Sequence, residues 1–96
     1  MSQYYTIQTL DGADSVKFQT ISTSGSSVQS TAITARRILI TTGAQPTYIE
    51  FGTNPTASVA DFVVPANSQM IFNFKSGNKV AVYTATQSYT SILDLD

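Results

Sequence analysis

The side chains that could carry chemistry are few. Six carboxylates (Asp11, Asp14, Glu50, Asp61, Asp94 and Asp96) and five basic residues are spread over 96 positions, and histidine, cysteine and tryptophan are absent. A Ser-His-Asp triad needs an imidazole, so the abundant serine offers no such nucleophile. The missing cysteine removes thiol chemistry, disulfides and the usual zinc sites. Glycoside hydrolysis needs two carboxyl groups facing each other across a cleft. Asp11 and Asp14 flank a tight turn, where Asp is favoured by local hydrogen bonding, and Asp94 and Asp96 stand at the end of the sequence. The Asp11-Gly-Ala-Asp14 run also lacks the ligand density of a calcium loop. Ser-Lys catalysis needs a buried lysine, whereas Lys17, Lys75 and Lys79 are expected on polar faces or at a hairpin end. No glycine-rich phosphate loop occurs. The expectation is a non-enzymatic protein with no catalytic residues, metal or cofactor.

Binding offers more. The net charge is −1 and Arg36-Arg37 is the only basic cluster, too small for a nucleic-acid footprint. No apolar run is long enough to span a bilayer. The opening Met-Ser-Gln-Tyr-Tyr has neither a basic region nor an apolar segment, so cytoplasmic synthesis without a signal peptide is expected. Five tyrosines could stack on sugars or bases, or pack at interfaces. Tyr4 and Tyr5, as aromatics of a terminal strand, and Arg36 and Arg37 are the candidate partner-binding residues.

The elements that must position them are strands. Charged residues make up only 11% and hydrophobic ones 42%, a balance that suits a folded core. Val, Ile, Thr, Tyr and Phe dominate, and good helix formers are scarce. The length fits one domain over residues 1–96. Asp11-Gly12 is a favoured type I′ turn, which sets Ile7 opposite Val16 and Tyr5 opposite Phe18 between strands at 3–10 and 13–21. Residues 22–31 are Ser/Thr-rich and read as a polar loop, or as an arm that orders against a partner. Strand character resumes over 31–42. A following hairpin with Arg37 opposite Glu50 keeps Ile38, Ile40, Ile49 and Phe51 on one face.

A short strand, 61–64, is closed by Pro65, and a turn follows over 65–68. A three-residue loop at Ser76-Gly77-Asn78 predicts Phe74 opposite Val80 and Phe72 opposite Val82. The last strand, about 89–95, puts Tyr89, Leu93 and Leu95 on one face. The expected core is Ile7, Val16, Phe18, Ile38, Ile40, Ile49, Phe51, Phe62, Val64, Phe72, Phe74, Val80 and Val82. Seven or eight short antiparallel strands with regular turn signals predict an all-β fold, a compact β-sandwich or small jelly-roll-like barrel. Jelly-roll, immunoglobulin-like and barrel connectivities all fit the pattern.

The runs Pro46-Thr-Tyr-Ile-Glu-Phe-Gly52, Asn54-Pro-Thr-Ala57, Asp61-Phe-Val-Val-Pro-Ala-Asn67 and Lys79-Val-Ala-Val82 resemble small structural virion proteins of tailed bacteriophages. The resemblance covers about the C-terminal half. It implies a structural protein of the particle, foremost a head decoration (cement) protein bound to the major capsid protein on the capsid surface and made in the host cytoplasm. It also implies a homo-oligomer, with a trimer expected, and supplies no catalytic residues. A tail, neck or fibre component and a carbohydrate-binding adhesin module are the other readings. The absence of tryptophan counts against the last.

Overall fold

The computed structural model describes residues 18–95. The first hairpin, with its Asp11-Gly12 turn, Ile7, Val16 and the candidates Tyr4 and Tyr5, lies outside the described residues. Eight strands follow one another: β1 Phe18–Thr23, β2 Val28–Gln29, β3 Arg37–Thr42, β4 Thr47–Gly52, β5 Phe62–Val64, β6 Gln69–Asn73, β7 Lys79–Tyr83 and β8 Ser88–Asp94. There is no helix among the described residues. The strands form two antiparallel four-stranded sheets, ordered β1-β8-β3-β6 and β2-β7-β4-β5, so the fold is an all-β sandwich.

The pairing explains the connectivity. β1 pairs with β8, β2 with β7, β3 with β6 and β4 with β5. This is one long hairpin, folded over and rolled into two sheets, which is a jelly roll. Only β4 and β5 are both consecutive and paired; every other connection crosses from one sheet to the other.

Alternation then builds the core. Ile38 and Ile40 of β3, Ile49 of β4, Val64 of β5, Val80 and Val82 of β7 and Ile92 of β8 all point between the sheets, with Phe74 and Ile33 beside them. Threonines complete the layer. Thr23, Thr47, Thr84 and Thr90 are buried, and the Thr23 and Thr84 hydroxyls hydrogen-bond to each other across the sandwich. Threonine serves here because its branched body fills a strand position and its hydroxyl can be satisfied locally.

Four expectations change. First, Arg37 does not face Glu50: β3 and β4 belong to different sheets, with Arg37 opposite Asn73 and Glu50 opposite Ala81. Second, Phe72 lies opposite Ile38 and Val82 opposite Ile49, because β6 and β7 are likewise separated. Third, Phe18 and Phe62 are surface residues, 62% and 54% exposed. In β1 the inward positions are Ile21 and Thr23, so Phe18 falls on the outer parity. Phe62 does face inward, but from the edge of its sheet among the described residues, where more than half of it stays exposed. Fourth, Val80 lies opposite Phe51 and not Phe74. Tyr89 and Leu93 do share a face of β8, the outer one, while Ile92, Thr90 and Ser88 fill the interior.

The polar 22–31 segment carries the crossing from the first sheet to the second. Gly25, at φ 78°, donates its N–H to Thr84 O, and Ser30 is buried, donating its N–H to Val80 O while its Oγ accepts from Val80 N.

Candidate functional site

β5 and β6 are the last strands of their sheets, and both lie on the same open side of the sandwich. On β4 and β5 the register sets Ile49 opposite Phe62, so both side chains face inward. On β6, Phe72 faces inward from the other sheet, opposite Ile38. Ile49, Phe51, Phe62 and Phe72 thus line a cleft of about 220 Å³. The rings hold one another edge-on: Phe51 to Phe72 at 5.5 Å, Phe51 to Phe74 at 5.1 Å and Phe62 to Phe72 at 6.0 Å between centroids. Such T-shaped contacts set positive ring edges against negative faces and fix ring orientation beyond simple burial.

The β5–β6 turn joins the two edge strands. Asn67 adopts φ 54°, a left-handed conformation that Asn tolerates, and donates its N–H to Gly43 O. Thr42 Oγ1 donates to Pro65 O and accepts from Ser68 N, which pins the turn to the end of β3. The long β4–β5 loop is tied down at the other side of its sheet. Gln29 donates to Asn54 Oδ1 and Pro55 O, and Ser27 Oγ accepts from Ala57 N.

Its rim is apolar. Phe62 and Val63 on β5, Ile71 on β6 and Val59 in the loop before β5 are all exposed. Neither β5 nor β6 carries a charged residue, the usual guard of a sheet edge. Beside this rim, on the outer face, stand two carboxylates that the fold brings together, Glu50 and Asp61. Glu50 is held above the usual glutamate range, first by the hydrogen bond it shares with Asp61 and then by the Asp61 charge. Asp61 is held below the usual aspartate range by the same bond and by the N–H of Ser58, 2.8 Å from its Oδ2. The two touch side by side on an exposed sheet face, not across a cleft, so the spacing for acid–base attack on a bound sugar is missing. On the same face Tyr48 lies opposite Tyr83, ring centroids 6.1 Å apart.

A second apolar feature crosses the other sheet. Phe18, Leu93, Leu39 and Ile71 form one row over all four strands of its outer face. Leu39 is only 7% exposed because Leu93 and Ile71 flank it.

Of the predicted binding residues, Arg37 opens β3, in the sheet opposite Glu50, Arg36 precedes it, and neither takes part in the cleft lining. Their carbonyls accept from Phe74 N and Leu95 N. The rim residues Phe62, Val63 and Ile71 were not anticipated. The available signal was Pro65, which marks the short strand before it as an edge. Among the described residues no cluster of three or more metal-ligating side chains occurs. Comparison with known proteins returned no matching family model, no matching curated protein and no matching solved structure.

Proposed function

We propose that this protein is a non-enzymatic structural component of a bacteriophage particle, a head decoration (cement) protein that sits on the capsid surface and binds the major capsid protein through the open side of its sandwich. The observation that carries the reading is the uncharged pair of edge strands β5 and β6 around an aromatic cleft. An edge of this kind is a docking surface unless it is guarded. The jelly-roll connectivity, common in viral capsid domains, and the resemblance of the 46–82 region to phage virion proteins support the same assignment. The apolar row Phe18–Leu93–Leu39–Ile71 supplies a separate surface for self-association, and a trimer is the proposed state.

The test is addition of purified protein to capsids that lack it, followed by reconstruction. Density on the capsid, lost with Phe62→Ser, supports the reading. Absence of binding, or density only on a tail or neck, overturns it.

A second reading follows from one observation. Tyr48 and Tyr83 stand together on the outer face one row from the Glu50–Asp61 pair, an arrangement of aromatic rings and hydrogen-bond acceptors that suits a sugar, and lectin domains share this connectivity. Saturable glycan-array binding, abolished by Tyr48→Ala, would select this reading over the first.

A further inference from the structure

We propose that β5 is the docking edge and that its partner is an extended polypeptide segment, alternating apolar and basic side chains, which adds to β5 as a further strand of the β2-β7-β4-β5 sheet. This names the partner chemistry of the docking site above and rests on that reading for where the partner resides.

The strand itself sets the pattern. Among the described residues β5 has one neighbour, β4, and its other edge is not paired. Phe62 and Val64 face inward, Asp61 and Val63 outward. A strand laid beside β5 alternates in the same way. Its inward residue meets Phe62 at the mouth of the cleft. At about 220 Å³ the space takes one leucine- or phenyl-sized group, since a dry cavity of ~150 Å³ already holds benzene. Its outward residue meets Asp61.

The charge at that point is one-signed. One register step beyond Ile49–Phe62 sets Glu50 beside Asp61, and the outer row continues through Ala81 to Gln29, with no basic residue in it. Among the described residues the nearest basic position on this face, Lys79, lies opposite Gly52, a row further on and two strands from β5. The bonds that Asp61 accepts come from Ser58 and Glu50. A lysine or arginine on the added strand supplies the missing cation, and an acidic one is repelled. Pro65 limits the pairing to a short stretch, so side-chain chemistry and not ladder length selects the partner.

The experiment is an amide-resolved NMR titration of the full chain with three capped octapeptides: alternating leucine and lysine, the same with glutamate for lysine, and the lysine peptide with a central proline. The expected result is amide shifts centred on 61–64 with the lysine peptide alone. Binding should weaken about three- to tenfold in Glu50→Gln/Asp61→Asn, and should be lost in Phe62→Ser.

The inference is overturned by no shift at about 1 mM lysine peptide, by equal binding of the glutamate peptide, or by shifts on the Phe18–Ile71 row. It is also overturned by concentration-dependent shifts at 61–64 without peptide, which would place a second copy there. Capsid binding without peptide binding overturns this inference and leaves the capsid reading. Peptide binding at β5 by a protein that ignores capsids supports this inference and removes the capsid reading.

Discussion

The ring of Phe62 stands edge-on to that of Phe72, centroids 6.0 Å apart, and so joins the edge strands of two different sheets across the open side of the sandwich. The two rings are not equivalent. Phe72 is half-buried and packs on the core through Phe51, whereas Phe62 is mostly in solvent. Phe72→Ala should therefore cost about 2–4 kcal/mol in chemical denaturation, and Phe62→Ala less than about 1.5 kcal/mol. Equal losses would show that Phe62 belongs to the core and is not free for docking.

The Glu50–Asp61 pair makes stability depend on pH in two opposed ways. Glu50 is raised, so its contribution is fully present below the ordinary glutamate value and is lost as pH rises through its folded value. Asp61 is lowered, so its contribution is present above the ordinary aspartate value and is lost as pH falls through its folded value. Glu50→Gln keeps a hydrogen-bond donor for Asp61 and removes the like charge. Its melting temperature should match the parent at low pH and exceed it above the glutamate range, in melts from about pH 3 to about pH 8. A variant that falls below the parent at neutral pH would sink the account.

Gly43 marks a close approach between the β3–β4 connection and β8. A Cβ at this position would sit 2.8 Å from Ser88 Oγ and 2.9 Å from Tyr89 O. The hydroxyl could rotate away; the carbonyl is backbone and cannot. Gly43→Ala should destabilise by about 1–3 kcal/mol through overpacking. An unchanged melting temperature would mean that the crossing loop stands further from β8.

These local features were unevenly legible in the sequence. Period-two alternation identified the inward faces of Ile38 and Ile40, of Ile49, and of Val80 and Val82, because each strand has one side in the core. The strand partners were hidden for the same reason. Any two strands sharing a core satisfy the same parity, so a local hairpin joining Arg37 to Glu50 fits the alternation as well as the real arrangement, in which the chain changes sheets between them. The Glu50–Asp61 contact depends on β5 returning to β4 after a long loop, and loop composition does not encode that return. The alternation gives the inward orientation of Phe62 but not its burial. At a sheet edge the two separate, and Pro65 was the one residue that said so.

Thr90 gives the sharpest test of the buried layer. It lies on the inner face of β8, opposite Ile21 on one side and Thr42 on the other, with no solvent exposure. Its Oγ1 has no hydrogen-bond partner among the described residues. A buried hydroxyl without a partner keeps its desolvation cost and returns nothing for it, whereas valine has the same shape and suits a strand. Thr90→Val should raise stability by about 1–2 kcal/mol, a rise of several degrees in melting temperature for a domain of this size. Thr84 is the control. It is equally buried, but its hydroxyl bonds to that of Thr23 and lies 2.8 Å from Thr86 O. Thr84→Val strands the Thr23 hydroxyl and should lower stability by about 1–2 kcal/mol. The two substitutions are chemically identical, so opposite signs can come only from hydrogen bonding. A loss of stability in both would mean that Thr90 Oγ1 is satisfied in solution, by a trapped water or a shifted neighbour.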